Sequence, residues 1–140
     1  MIPAQKSLLF SRWFGWVAQR RIAGTFGAVR IRGLASVAAL VAARPVLVVS
    51  NHTSWWDPLV VLLSSRLLGA NVYAMMDAKQ LRALPFFARA GAFGVDLVDP
   101  RDGARAVRYA AGLLDRPGRL VWLFPQGREV PTTARPLAFR

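Results

Sequence analysis

The sequence contains no cysteine and a single histidine, His52, in 140 residues. The absence of cysteine excludes disulfide bonds, thiolate zinc sites and cysteine nucleophiles. A single histidine cannot form a histidine-rich metal site either. Acid–base chemistry near neutral pH therefore depends on His52, because histidine is the residue type that ordinarily titrates in that range.

Acidic residues are also few: seven aspartates and glutamates oppose 19 lysines and arginines, which gives a formal net charge of +12. This excess favours anionic partners, namely nucleic acid, an anionic bilayer surface or phosphorylated substrates. Charged residues make up only 19% of the chain and hydrophobic residues 54%, so disorder is not expected. The mean hydropathy of +0.32 favours a membrane-associated protein over a freely soluble one. The length predicts one domain.

Long uncharged apolar runs are absent as well. A membrane-spanning helix needs roughly 20 apolar residues, so we expect the chain to lie on a membrane and not to cross it. The segment from Ser7 to about Ala23 places its large apolar residues on one helical face, with arginines beside them. These apolar residues are Leu9, Phe10, Trp13, Phe14 and Val17. We interpret residues 1–25 as an amphipathic membrane-interface helix; the alternative is a helix that covers the core of its own domain.

The rest of the chain alternates predicted strands with predicted helices. The predicted strands are 26–32, 46–49, 71–76, 93–98 and 120–124, and the predicted helices are 34–43, 58–68, 79–84, 85–90 and 103–114. Such alternation indicates an α/β domain with a mostly parallel sheet flanked by helices.

The stretch 51–57 carries His52 and, five positions later, Asp57. An aspartate that hydrogen-bonds one ring nitrogen of a histidine leaves the other nitrogen free to accept a proton. The apolar run 46–49 predicts a buried strand, and Asp57 followed by Pro58 is typical of a helix N-cap. The pair is therefore predicted in a strand-to-helix loop at the carboxyl end of a strand, where open α/β sheets usually keep their sites.

Two further loops follow predicted strands and complete a recognisable set of motifs. The three signatures read Asn51, His52, Ser54 and Asp57, then Phe93-Gly94-Val95-Asp96, then Phe124-Pro125-Gln126-Gly127-Arg128-Glu129. In order and spacing they resemble the lysophospholipid acyltransferase family, also called the glycerolipid acyltransferase family. The resemblance covers residues 51–129, most of the chain.

This resemblance implies transfer of an acyl chain from acyl-CoA or acyl carrier protein to a hydroxyl of a lysophospholipid, such as 1-acylglycerol-3-phosphate, or of a related lipid. His52 would act as the general base and Asp57 would orient its ring, with no covalent intermediate, metal or cofactor. Ser54 is expected to brace the loop, since no Gly-x-Ser-x-Gly elbow surrounds it. The substrate-binding residues that the resemblance implies are Asn51, Ser54, Phe124, Pro125, Gln126, Gly127 and Arg128.

Three departures from the family pattern concern the substrate. Leu97 stands where the family has an arginine that is thought to meet the acceptor phosphate, and Arg101 is the nearest substitute. Gln126 replaces a carboxylate, and Arg128 comes one position early. A phosphate site formed by Arg128 and Arg101 is one interpretation; the other is that these arginines are solvated at the sheet edge.

The resemblance also implies an acyltransferase domain over residues 26–140, which stops before the further strand and fourth signature that family members generally have. The expected partners are a lipid substrate, an anionic membrane surface and an acyl carrier protein, and the expected location is the cytoplasmic face of the membrane. No nucleic-acid-binding motif is found, and the basic residues are scattered along the chain. A catalytically inactive homologue that binds lipid or membrane remains the alternative. The sequence makes no prediction of oligomeric state.

Overall fold

The computed structural model of the chain describes residues 1–135. Its helices are α1 (Leu8–Thr25), α2 (Leu34–Ala43), α3 (Asp57–Leu68), α4 (Ala78–Ala83), α5 (Phe86–Ala90) and α6 (Pro100–Leu113). Its strands are β1 (Val46–Val49), β2 (Asn71–Asp77), β3 (Ala92–Val95) and β4 (Arg119–Leu123). The end of the predicted acyltransferase domain, residues 136–140, lies outside the described residues.

The four strands form one parallel sheet in the order β1-β4-β2-β3. Trp122 of β4 lies between Val48 of β1 and Ala74 of β2. All four carboxyl ends therefore lie at one edge of the sheet. The predicted α/β fold with a mostly parallel sheet flanked by helices is confirmed.

Helices cover both faces of the sheet. On one face α6 packs over a buried cluster that includes Tyr73, Phe93 and Val121. On the other face α2 and α3 cover a cluster around Val72 and Leu120. Successive strand residues point to opposite faces, so the central strands are buried on both sides. This is why their sequences are nearly continuous apolar runs.

The strand predicted over residues 26–32 is wrong. This stretch has irregular backbone outside the four-stranded sheet, and Val29 and Ile31 are 50% and 45% exposed. Alternation of apolar and polar residues produces a strand only where a neighbouring strand pairs with the backbone groups. Within residues 1–135 no strand does so, and the apolar side chains of this loop face solvent.

Several element boundaries differ from the sequence prediction. The third strand ends at Val95, and α6 begins at Pro100 because the Asp99 carboxylate caps it by accepting a hydrogen bond from the Arg101 N–H at 2.9 Å. In α3, Asp57 is the first helical residue and the N-cap is the preceding tryptophan. This change of one position frees the Asp57 side chain from capping its own helix.

The apolar residues of α1 are divided between two faces. Phe10 and Phe14 pack inward against α3 and α5. Leu9, Trp13 and Trp16 recur at helical spacing on the outer side and are 83%, 56% and 45% exposed. The helix thus covers the core of its own domain and also presents an apolar outer face. None of the helices in the described part of the chain is long and apolar enough to cross a membrane.

The segment before α1 lies along the free edge of β3. Ile2 and Gly94 exchange two backbone hydrogen bonds of 2.8 Å, which adds a short antiparallel bridge to the sheet. The Lys6 ammonium lies over the ring of Tyr73 and donates a hydrogen bond to the Val72 carbonyl. Burial, together with the nearby positive charge of Arg119, lowers the pKa of Lys6 to about 8.

Gly91, between α5 and β3, is expected to tolerate no side chain. Its φ is +115°, and a β-carbon there would lie 2.8 Å from the carbonyl oxygen of Val72. Gly91→Ala should therefore lower the free energy of unfolding by roughly 1–3 kcal/mol, the usual cost of such backbone strain. Urea denaturation followed by circular dichroism measures it.

The matched control is Gly112→Ala in α6, where nothing lies within 4 Å of the added methyl group. This replacement should leave the free energy of unfolding unchanged or raise it by about 0.5–1 kcal/mol, because alanine has a higher helix propensity than glycine. Equal denaturation midpoints for the two variants would contradict the predicted strain at Gly91.

Candidate active site

The loops that follow β1 and β4 lie side by side, because these two strands are neighbours in the sheet. Ser50 N–H donates to the Leu123 carbonyl at 3.1 Å and continues the strand pairing beyond β1. Farther out, Val130 N–H donates to the His52 carbonyl at 2.8 Å. The first and third signature loops are thus joined by backbone hydrogen bonds at the carboxyl edge of the sheet.

His52 and Asp57 form a direct hydrogen bond, 2.8 Å from Nδ1 to Oδ2. The same carboxylate oxygen accepts the backbone N–H groups of Thr53 at 2.7 Å and Ser54 at 3.1 Å. An ionised carboxylate only accepts hydrogen bonds, so the imidazole must donate through Nδ1. Nε2 then carries the lone pair and is available to accept a proton.

The imidazole ring of His52 is held from a second direction by an aromatic neighbour. It stacks on Phe124, with ring centroids 4.6 Å apart. Phe124 in turn packs in the apolar cluster under α2 and α3. Trp122, in the same cluster, donates its indole N–H to Ser50 Oγ at 2.6 Å. The histidine is about one-fifth exposed, so it is accessible to a substrate while its ring orientation is restricted.

Gln126 supports the backbone of the histidine. Its side-chain Oε1 accepts the His52 backbone N–H at 2.7 Å, and the residue is only 4% exposed. A buried N–H group without a partner is costly, so this side chain stabilises the contact between the two loops. The carboxylate that stands here in the family pattern could accept the same hydrogen bond, and the glutamine does so without adding a buried charge.

Replacing Gln126 by leucine, which is close in size, should leave the His52 N–H unpaired. We expect the free energy of unfolding to fall by about 1–3 kcal/mol, with a lower rate of any reaction that uses His52. Gln126→Glu is the matched variant, since it restores an acceptor and should be less damaging than leucine. Chemical denaturation of all three proteins measures the difference; a leucine variant as stable as the wild type would contradict it.

The other residues predicted for the site are placed as follows. Asn51 is exposed at the start of the loop, and Ser54 Oγ accepts the Trp56 N–H at 3.1 Å within it. Gly127 has a φ of 64° and turns the third loop, its N–H donating to the Phe124 carbonyl at 3.0 Å. Pro125 lies between the stacked phenylalanine and the buried glutamine, and Arg128 is exposed.

The structure does not bring Arg101 next to Arg128. Arg101 lies in the first turn of α6, beyond the end of β3, whereas Arg128 follows β4, and β2 separates these two strands. Neighbouring strands are about 4.8 Å apart, so the two loops are separated by about twice that distance. Both arginines are exposed. Their combination into one phosphate site stays a prediction from the sequence.

The second signature loop, after β3, is fixed by Asp102. This carboxylate is 2% exposed; it accepts the Asp96 N–H at 2.8 Å and hydrogen-bonds the N-terminal ammonium of Met1. It also pairs with Arg105 at 3.2 Å. The hydrogen bond from Met1, followed by that from Asp96, holds the pKa of Asp102 below its usual value against the opposing effect of burial.

The site predicted from the sequence did not include the carboxyl end of β2, although this strand lies between β4 and β3. Lys79 and Arg82 of α4 line a depression of about 240 Å³ at this edge, and neither Arg101 nor Arg128 does. The available signal was the charged stretch that follows the second predicted strand, because carboxyl ends of parallel strands share one edge. Within residues 1–135 no three potential metal ligands of the histidine, cysteine or carboxylate type come together.

Comparison with known proteins identifies the family. A family model described as acyltransferase matches residues 28–140, well over half of the chain and all three signature loops. A search of curated proteins found no match. Taken with the parallel sheet, this match shows that the chain belongs to the acyltransferase family, the glycerolipid acyltransferases.

Proposed function

We propose that the protein transfers a fatty acyl chain from a thioester, acyl-CoA or acyl carrier protein, to a hydroxyl of a lysophospholipid. The observation that carries this proposal is the hydrogen bond from His52 Nδ1 to Asp57, which leaves Nε2 free at the carboxyl edge of the sheet. Membership of the acyltransferase family supports the reaction class. An acyltransferase of this kind would act in phospholipid biosynthesis.

In the proposed reaction, His52 Nε2 removes the proton from the acceptor hydroxyl. The hydroxyl oxygen forms a bond to the thioester carbonyl carbon, and the carbon–sulfur bond then breaks. The leaving thiolate takes up the proton from the imidazolium. Asp57 holds the ring in the required tautomer and stabilises its positive charge during the transfer. A general base of this kind contributes on the order of 10²–10⁴-fold to the rate.

The surface around the site supports association with a membrane. The outer face of α1 exposes Leu9, Trp13 and Trp16, and Trp55 of the catalytic loop is 59% exposed. Trp55 contacts Trp56, which packs edge-on against Phe26 at the end of α1. Tryptophans prefer the bilayer interface, and the net charge of +12 favours anionic lipid. The proposal therefore locates the protein peripherally, on the cytoplasmic face of an anionic membrane.

The activity is tested with purified protein, acyl-CoA or acyl carrier protein, and a panel of lysolipids. Release of free thiol and formation of the diacyl product are the expected results. The alternative, an inactive homologue that binds lipid, predicts lipid binding without turnover for every donor and acceptor. That outcome, with equal binding by wild type and a His52 variant, would overturn the proposed reaction.

Membrane association makes a separate prediction. Replacing Trp13 and Trp16 together by alanine should weaken partitioning onto anionic vesicles by about tenfold or more. The loss of roughly 60 Å² of apolar surface buried in the membrane costs about 1.5 kcal/mol, and this free energy corresponds to a factor of about ten in the partition constant. Vesicle co-sedimentation measures the change. Val107→Ala is the control, since Val107 is also exposed, at 60%, but lies on α6 across the sheet. Equal partitioning by all three proteins would remove α1 from the membrane contact.

A further inference from the structure

A depression beside the active site is lined by charges of both signs. It has a volume of about 240 Å³ and lies open to solvent between α4 and the loop that follows β3. Its charged residues are two carboxylates and two cations: Asp77, Asp96, Lys79 and Arg82. The formal charges cancel, although the protein as a whole is strongly basic.

In the part of the chain that the structure describes, these four charged side chains form no salt bridge with one another or with any other charged group. Each carboxylate uses one oxygen to cap a turn: Asp77 Oδ1 accepts the Lys79 N–H at 2.8 Å, and Asp96 Oδ1 accepts the Val98 N–H at 3.0 Å. The second oxygen of each keeps its capacity to accept a hydrogen bond from a ligand.

We propose that this depression binds a zwitterionic headgroup of the acyl acceptor, which bears one ammonium group and one phosphate or carboxylate. This inference rests on the proposed acyl transfer and adds the class of acceptor. The ammonium group would be bound by Asp77 and Asp96, and the anionic group by Lys79 and Arg82. A purely anionic headgroup would meet the same two cations but also two carboxylates of like charge. A zwitterion matches both pairs.

The position of the depression suits a headgroup whose hydroxyl is at His52. The catalytic loops follow β1 and β4, and the depression follows β2 and β3, at the same edge of the sheet. With strands about 4.8 Å apart, the centres of the two sites are separated by roughly 10 Å. A glycerol backbone with its phosphate and ammonium groups is of this length.

Leu97 adds a reason specific to this chain. This residue stands where the family pattern has an arginine, and the structure places it in the wall of the depression. With an apolar side chain there, the cations of the depression come from α4, and carboxylates lie beside them. The resulting site is less anion-selective than one with a third cation would be.

The test compares kcat/KM for three lysolipids with the same acyl chain: a phosphoethanolamine, a phosphate and an amino-acid headgroup with ammonium and carboxylate. We expect either zwitterionic lysolipid to exceed the anionic one by about tenfold, the contribution of one charge-assisted hydrogen bond. The two zwitterions distinguish phosphate from carboxylate as the anionic group. Preference for the anionic lysolipid would overturn the inference.

Two double variants test the residues. Asp77→Asn with Asp96→Asn keeps both backbone caps, since asparagine also accepts these hydrogen bonds, and removes both negative charges. This variant should lower the zwitterion-to-anion ratio of kcat/KM about tenfold. Lys79→Gln with Arg82→Gln should lower kcat/KM for every acceptor that bears phosphate or carboxylate.

Asp115→Asn is the matched control, because Asp115 pairs with Arg116 and Arg119 at the opposite edge of the sheet and its loss changes the charge in the same direction. Its acceptor ratio should equal that of the wild type. If the wild type acylates lysolipids but the Asp77 and Asp96 variant keeps the wild-type ratio, the depression is not the headgroup site. If the wild type acylates no lysolipid, the proposed function fails instead.

Discussion

Replacing His52 by alanine should lower kcat/KM for acyl transfer by about 10²–10⁴-fold, the usual contribution of a general base. The sequence contains no other histidine, so no second imidazole can take over the proton. Release of thiol from acyl-CoA, followed with a chromogenic thiol reagent, measures the loss. The fold should be retained, because the ring is about one-fifth exposed and makes up little of the core.

The control for His52 is Ser64→Ala, a small change on α3 outside the catalytic loop. Both variants should keep the wild-type circular dichroism spectrum, and only the His52 variant should lose activity. Full activity in the His52 variant would rule out the general-base mechanism.

Replacing Asp57 by asparagine should lower kcat by about 10–10²-fold, because it removes the negative charge that stabilises the imidazolium during proton transfer. Asp57 Oδ2 accepts from His52 Nδ1 and from the N–H groups of Thr53 and Ser54, so an asparagine oxygen in the same place would keep all three hydrogen bonds. The ring should then keep its proton on Nδ1. The loss of activity would therefore report the missing negative charge and not a change of tautomer.

Asp57→Ala separates the loss of charge from the loss of orientation. Alanine removes the acceptor of His52 Nδ1 as well as the charge, so this variant should lose more activity than asparagine does. The tautomer itself is measured by ¹⁵N NMR of the imidazole, where the wild type and the asparagine variant should both show a proton on Nδ1. An asparagine variant with wild-type kcat would exclude the charge of Asp57 from the mechanism.

The hydrogen bond between His52 and Asp57 is predictable from the sequence because it is local. His52 and Asp57 are five residues apart at a strand-to-helix junction, and the loop has few ways to place them. The three hydrogen bonds to the Asp57 carboxylate come from residues 52–54. The strand before the loop and the helix after it are apolar runs of the lengths that these elements usually have. Short-range chemistry was therefore enough to predict that these two side chains meet.

The position of the second and third loops could not be predicted in the same way. It depends on the strand order β1-β4-β2-β3, in which the last strand inserts between the first two. All four strands are short, largely apolar runs, so their sequences do not specify their neighbours, even though Leu47 and Val49 of the edge strand β1 are 50% and 60% exposed. This order brings Gln126 to the His52 N–H and leaves Arg101 beyond β2.

The incorrect strand at residues 26–32 and the division of the apolar residues of α1 between two faces have a related cause. Periodicity shows which residues share a face, but it does not show whether a partner covers that face. Val29 and Ile31 alternate as strand residues do and yet have no neighbouring strand in the described chain. In α1, small residues such as Gly15 and Ala18 form the buried face, while the tryptophans that suggested the helix are turned outward.

By itself, the sequence determined the α/β class, the helices and strands apart from residues 26–32, and the His52–Asp57 pair, since these follow from local composition and spacing. Only the tertiary structure decided which loops meet, which side chain holds the His52 backbone, and where charges gather beside the site. The physical reason is that these features depend on pairing between strands that are distant in the chain. The depression lined by Asp77, Lys79 and Asp96 exists only because β2 and β3 are neighbours.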